Sequence, residues 1–250
     1  MNIKLSKRLK RIADMLTPGH DTADIGCDHG LVSVYLVQEG IASHVFAMDI
    51  GRGPLESAGK NIRKYLSEEE MSKVDLIVSD GFEKLEPGQS QSAIIAGMGG
   101  QLIISILQKG LHKSIFDKGY ELVLSPQSDV PMVRVFLREN GFKIIDEDML
   151  SEDGKFYNII KAVFDNTEPK NIESSEGINQ KMYDLYGRIL LEKKSAVLKD
   201  YLIKEVEKKE KLFCSLSRKT TEGSIDRMAG LRNELDILTQ ALMTINQCIS

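Results

Sequence analysis

The chain has 250 residues, enough for one large domain and a smaller one, and its 42% hydrophobic and 28% charged residues are those of a globular protein. No apolar run approaches the roughly 18 residues that span a bilayer, and the basic N-terminus lacks the apolar core of a signal peptide, so a cytoplasmic protein is expected. A net charge of -4 excludes a surface coated in positive charge, although a local basic patch is enough to hold phosphates.

In chain order, Leu5, Leu9, Ile12 and Leu16 recur at helical spacing opposite Lys4, Lys7, Arg8, Lys10 and Arg11. This predicts an amphipathic helix over 3–16 whose basic side is either solvated or a phosphate-binding ridge carried by Arg8 and Arg11. Strands are expected at 22–26, 44–49, 74–79, 92–97, 120–125, 141–149 and 156–164, with helical stretches between the first six. That alternation predicts an α/β fold, a mostly parallel sheet covered on both faces. The last two strands are joined by Ser151-Glu152-Asp153-Gly154, a hairpin signal, so the sheet should end in an antiparallel pair.

Residues 1–164 thus form one domain, and the polar, Pro169-containing stretch 165–176 reads as a linker. Residues 177–250 read as helical. Tyr183, Tyr186, Leu190, Val197 and Tyr201 make one apolar stripe. After a polar turn near Thr220–Ser224, Met228, Leu231, Leu235, Leu238, Leu242, Ile245 and Ile249 make a heptad stripe. Two helices of this kind should pair antiparallel as a coiled coil, and their mutual burial makes a monomer the simplest expectation. Outward lysines such as Lys193, Lys194, Lys204, Lys208 and Lys209 either solvate that face or grip nucleic acid; interleaved acids keep it near neutral. Cys27, Cys214 and Cys248 form no CxxC pair and no Cys/His cluster, so neither a metal nor a disulfide framework is signalled.

Four segments fall at strand ends. Ala23-Asp24-Ile25-Gly26-Cys27-Asp28-His29-Gly30 ends the first strand and opens a helix. Small residues there let a ligand approach the backbone, while Asp24 and Asp28 would repel a pyrophosphate and suit a cationic amino group, such as the methionine end of S-adenosylmethionine. Asp49, followed by Ile50, ends the second strand, where a carboxylate accepts ribose hydroxyls or caps the helix that begins near Gly53-Pro54. Ser79-Asp80-Gly81 offers an acceptor for an adenine amino group and room for its ring, or an ordinary Asp-Gly turn. Ile95-Ala96-Gly97-Met98-Gly99-Gly100 should leave backbone amides and carbonyls bare for a flat base, or be a flexible connection. Ligands of open α/β sheets bind outside the carboxyl ends of strands, so the four together point to a nucleoside cofactor.

With these segments assembled, the sequence resembles the bacterial tRNA (adenine(22)-N1)-methyltransferase family across essentially the whole chain. The resemblance is carried by D-I-G-C-D-H-G at 24–30 and G-M-G-G at 97–100, with L-S-K-R-L-K-R-I-A at 5–13 and E-D-G-K-F-Y at 152–157. It implies a class I, Rossmann-like methyltransferase domain with a C-terminal antiparallel coiled coil, S-adenosyl-L-methionine as cofactor and tRNA as partner. Asp28 takes the middle position of the usual G-x-G-x-G, a feature the family shares. G-M-G-G stands where many amino-group methyltransferases carry N/D-P-P-Y/F, so the side-chain acceptor of those enzymes is missing.

The cofactor is then expected on Asp24, Gly26, Cys27, Asp28, His29, Asp49, Ile50, Asp80, Gly81, Ala96 and Gly97. The extruded adenine is expected near Gly97, Met98, Gly99, Gly100, Gln127 and Tyr157, with phosphates on Arg8 and Arg11. Adenine N1 has an in-plane lone pair, so it needs no proton removed before it attacks, and catalysis rests on positioning. Competing readings are a methyltransferase for rRNA or a small molecule, and a non-catalytic RNA-binding protein of the same fold.

Overall fold

Short apolar runs separated by glycine turns build seven strands in the computed structural model, which describes residues 2–166, 177–218 and 222–247. They are β1 (His20–Ile25), β2 (Ala42–Asp49), β3 (Val74–Val78), β4 (Ser92–Ala96), β5 (Glu121–Ser125), β6 (Phe142–Glu152) and β7 (Lys155–Phe164). Each begins and ends within three residues of its expected bounds. The order across the sheet is β3-β2-β1-β4-β5-β7-β6. β1 to β5 are parallel, and β7 returns antiparallel to β5. The chain leaves β1 for β2 on one side and comes back to β4 on the other. The crevice at the carboxyl ends of β1 and β4 is therefore the switch point of the sheet.

The expected hairpin is present and tight. Asp153 (φ 50°) and Gly154 (φ 75°) form its two-residue turn, both left-handed, which matches the twist of the flanking strands. β4 and β5 lie between covering layers, and Ile95, Leu122 and Leu124 are buried there. β3 is an edge strand and leaves Leu76 and Val78 exposed.

Two helical expectations need correction in this unit. The first helix, α1, covers Lys7–Asp14 rather than 3–16, because the Ser6 hydroxyl accepts the Leu9 N–H and caps it there. Helices α2 (Leu31–Gln38), α3 (Arg52–Tyr65), α4 (Glu68–Met71), α5 (Gly100–His112) and α6 (Val130–Glu139) follow. None lies between β3 and β4, where residues 79–91 make turns. There the Ser79 hydroxyl accepts the Lys84 N–H and donates to the Gly81 carbonyl, local bonds that compete with a helix, and Pro87-Gly88 closes the segment.

Among the described residues the C-terminal unit contains four helices, not two: α7 (Gly177–Tyr186), α8 (Arg188–Glu192), α9 (Ala196–Leu216) and α10 (Glu222–Asn246). The expected first stripe is interrupted at Gly187 (φ 87°) and Lys194 (φ 53°). Leu190 is buried as the stripe predicts, but beyond these breaks Leu191, Leu198 and Leu202 are buried with it, while Val197 and Tyr201 are only half-buried. In α10, Leu231, Leu238 and Ile245 are buried at intervals of seven, as the heptad spacing predicts. Lys194 meets the Gln247 carbonyl, Lys209 meets Glu234, and Arg232 lies over Phe213, so α9 and α10 run antiparallel. Lys208 and Lys209 pair with Glu205, which spends part of the basic face within the unit. Most of the expected linker, part of the turn near 220, Cys248 and Ile249 lie outside the described residues.

Candidate active site

A cleft of about 520 Å³ opens at the carboxyl ends of the parallel strands. It gathers Asp24, Gly26, Cys27, Asp28, His29, Asp49, Ile50, Asp80, Gly81, Ala96 and Gly97, together with Met98, Gln127 and Arg8. Gly99 and Gly100 open α5 beside it without lining it. Tyr157 stands on β7 and touches the cleft through Arg8, whose guanidinium lies 4.9 Å from its ring centroid. Arg11 lies in the last turn of α1 and does not line the cleft.

The floor is built by glycines that admit close approach. Gly26 has φ 72°, and a Cβ there would lie 2.0 Å from the Met98 methyl. Met98 therefore rests directly on Gly26, which joins the ends of β1 and β4. Gly30 (φ 64°) starts α2, and a Cβ on it would meet Ala58 at 2.8 Å. Behind this turn, α2 is apolar on nearly every side and packs into the protein.

Asp24 is buried beneath the loop and accepts the Ser33 hydroxyl at 2.6 Å. Burial raises its pKa from 3.8 to about 6; the Ser33 hydrogen bonds oppose the rise, and the Asp49 charge adds to it. Burial, with Asp24, Asp49 and Asp28 around it, also pushes the Cys27 thiol far up, which keeps it protonated and poorly nucleophilic. Asp49 does not cap α3. Its carboxylate accepts the Asp28 N–H at 3.2 Å and the Gly51 N–H at 2.8 Å, which ties the loop after β1 to the loop after β2. Ile50 beside it is 73% exposed, an apolar plate at the rim. Asp80 forms an ion pair with Lys109 of α5, and Gly81 (φ 59°) makes the turn that follows.

The G-M-G-G segment departs in part from expectation, because several of its backbone groups are already bonded. The Gly97 N–H donates to the Ser125 carbonyl, the Met98 carbonyl accepts the Gln127 N–H, and the Gly100 N–H donates to the Ser128 carbonyl. The loop after β5 packs across it so closely that a Cβ on Gly100 would lie 2.6 Å from the Ser128 carbonyl oxygen. Gly99 and Gly100 serve loop-to-loop contact, whereas Gly97 lines the cleft with open space above it.

Three contributors escaped the sequence reading. Ser33 holds Asp24, Lys109 holds Asp80, and Leu102 of α5 is an exposed apolar side chain on the cleft wall. Ser33 had a visible signal, as the polar residue within Leu31-Val32-Ser33-Val34-Tyr35-Leu36-Val37. Lys109 had none, since only the fold brings α5 to the end of β3.

The cleft fits a nucleoside bearing a cationic amino group. A buried carboxylate, an amide-oriented carboxylate and an apolar plate line it; Met98 covers Gly26, while Gly97 leaves space beside it. Among the described residues, no cluster of three or more His, Cys, Asp or Glu is placed to hold a metal ion, and no helix is long and apolar enough to cross a membrane.

Residues 5–160 match the methyltransferase domain family. The tRNA (adenine(22)-N(1))-methyltransferase of Bacillus subtilis is 30% identical over 241 residues, covering 96% of this chain and 98% of its own. The crystal structure of the Bacillus subtilis M1A22 tRNA methyltransferase superposes with a TM-score of 0.81 at 28% identity, over 96% of this chain and all of that one. A Streptococcus pneumoniae relative solved in complex with S-adenosyl-L-methionine superposes with a TM-score of 0.79 at 27% identity, with 96% and 100% coverage.

Proposed function

The chain belongs to the tRNA (adenine(22)-N1)-methyltransferase family, and on that premise we propose that it methylates N1 of adenine 22 in tRNA, with S-adenosyl-L-methionine as methyl donor. The observation that carries this reading is the convergence of three strand-end carboxylates, Asp24, Asp49 and Asp80, on one cleft in a chain similar to that enzyme from end to end.

When bound, the cofactor would supply an electrophilic methyl group: the adenine N1 lone pair would form the new N–C bond as the S–C bond breaks, its electron pair leaving with the sulfur of S-adenosylhomocysteine. The protein's part is to bind and orient. Asp49, already aimed by two backbone amides, accepts the ribose hydroxyls. Asp24 faces the amino group of the methionine end, and ionises as that cation neutralises the cost of its burial. Ile50 and Gly81 flank the purine of the cofactor, and Asp80 accepts from its amino group through the oxygen that Lys109 leaves open. Met98, resting on Gly26, closes the floor where cofactor and substrate meet. No side chain has to remove a proton before N1 attacks, so the carboxylates of this cleft serve binding. The adenine leaves its stack to reach this site, and Arg8 on Tyr157 holds backbone phosphate at the mouth.

The enzyme acts in the cytoplasm, where its tRNA is, and as a monomer, a reading supported by the burial of Leu198, Leu202, Leu231, Leu238 and Ile245 within one chain. The decisive experiment is methyl transfer to unmodified tRNA transcripts, with the site mapped by reverse-transcription stops. A stop at adenine 22 that requires S-adenosylmethionine is expected. A stop at another position, or methylation of rRNA alone, overturns the reading.

A further inference from the structure

We propose that Gln127 reads the target base through the Hoogsteen edge of adenine, with its carboxamide oxygen on N6–H and its amide N–H on N7. The proposal rests on the adenine N1 reading above and assigns the contact that selects the base.

Gln127 follows β5 in the segment Ser125-Pro126-Gln127-Ser128 and lines the cleft. Its backbone is held: the N–H donates to the Met98 carbonyl at 2.9 Å. Its side chain is exposed, and among the described residues the carboxamide meets no hydrogen-bond partner. Its amide nitrogen lies 3.9 Å from where a Cβ on Gly97 would stand. A fixed backbone with an unengaged carboxamide at the cleft floor is the arrangement of a recognition group awaiting a ligand. Asp24, Asp49 and Asp80, by contrast, are each already hydrogen-bonded.

The reaction restricts which edge such a group can read. Attack uses the N1 lone pair, so a side chain bonded to N1 on the Watson–Crick edge would block it. N6 and N7 together present one donor and one acceptor, the pattern a glutamine carboxamide satisfies with two bonds, and N1 stays free. Guanine presents O6 and N7, two acceptors, and leaves the glutamine oxygen facing an oxygen. The same contact therefore orients N1 and rejects guanine. Gly97 is exposed beside it and, having no side chain, leaves space for the ring.

The test uses the full-length enzyme, S-adenosylmethionine, and tRNA transcripts carrying adenosine or 7-deazaadenosine at the target position. Removing N7 lowers wild-type kcat/KM by about tenfold to a hundredfold, the discrimination of a bidentate contact. Gln127→Ala causes an equal or larger loss on adenosine, and on 7-deazaadenosine it loses only the smaller share carried by the remaining N6 bond, while its affinity for S-adenosylmethionine stays within about twofold of wild type. Equal wild-type rates on both transcripts overturn the proposal without any variant. So do losses that multiply, because a transcript folding defect or a purely structural role of Gln127 would act independently of the other change. Wild-type activity on the adenosine transcript separates this outcome from failure of the methyltransferase reading itself; if that activity is absent, both fall.

Discussion

The two walls of the cleft are built on opposite terms. On the side of β1, β2 and β3, each carboxylate is already engaged: Asp24 by Ser33, Asp49 by the Asp28 and Gly51 amides, Asp80 by Lys109. On the side of β4 and β5 the backbone is tied between Gly97–Gly100 and Ser125–Ser128, while Met98 and Gln127 carry the side-chain chemistry. The difference teaches that a small, invariant ligand can be met by groups held in place beforehand. A base that must leave a folded RNA is better met by side chains that are still free to adjust.

The sharpest break of this comparison lies at Asp49. Asp49→Asn replaces a carboxylate by an amide that accepts with one oxygen only. The variant loses its clamp on one of the Asp28 and Gly51 amides as well as its bonds to the ribose hydroxyls. With charged hydrogen bonds at roughly 1.5–3 kcal/mol each, affinity for S-adenosylmethionine falls by about a hundredfold or more in calorimetry. Binding within threefold of wild type would show that the clamp is not the ribose site.

The next effect compares two glycines, one on each wall. Gly26→Ala and Gly97→Ala both place a Cβ on a left-handed residue, at φ 72° and 79°. The shared strain is about 1–2 kcal/mol, read as a fall in Tm. Only Gly26→Ala also drives a Cβ into the Met98 methyl, whereas the nearest atom at Gly97 is 3.9 Å away. Gly26→Ala should therefore lose an additional tenfold or so in cofactor affinity. Equal behaviour of the two variants would remove Met98 from the floor of the site.

What the sequence made legible follows from the same contrast. Apolar runs closed by glycine turns exposed every strand and, with them, each carboxylate at a strand end. Ser33 was legible too, as a polar residue in an otherwise apolar helix. Lys109 was not, because its partner Asp80 is 29 positions away and meets it only through the packing of α5. The bare backbone expected at Gly97–Gly100 held only in part for a similar reason: the loop that ties much of it comes after the next strand. Local signals also outranked periodicity at α1, where the Ser6 cap sets the start, and in the C-terminal unit, where Gly187 and Lys194 reset the helical face.

A smaller effect tests whether Asp24 is held ready by burial. Its pKa is raised in the folded protein to about 6, so the cofactor-free fold keeps this proton more tightly than the unfolded chain does. Stability from this group is thus fullest below about pH 4 and is lost as pH rises through about 6, by about 3 kcal/mol in total. Binding has the opposite sign, since the cofactor's ammonium needs the carboxylate ionised. Affinity for S-adenosylmethionine should be flat above pH 6 and fall by about tenfold per unit below it. Asp24→Asn should be more stable than wild type at pH 7 in thermal melts, bind the cofactor more weakly, and show no break near pH 6. A wild-type affinity without that break would detach Asp24 from the amino group.

The smallest expected effect belongs to the mouth of the cleft, where neither wall decides the outcome. The Arg8 guanidinium lies over Tyr157, and its Nη1 is buried without a hydrogen-bond partner among the described residues. A cation held by a ring face keeps its charge available for phosphate at a cost of about 0.5–1 kcal/mol if the ring is removed. Arg8→Gln should weaken tRNA binding about threefold at moderate salt and lower the slope of log affinity against log salt by about one. Tyr157→Phe, which keeps the ring face, should leave that slope unchanged. Cofactor affinity should move far less than tRNA affinity in either variant, because the cofactor contacts fall to the strand-end carboxylates. If Arg8→Gln leaves the salt slope intact, the guanidinium packs the N-terminal helix onto β7, and phosphate recognition has to be sought elsewhere on the protein.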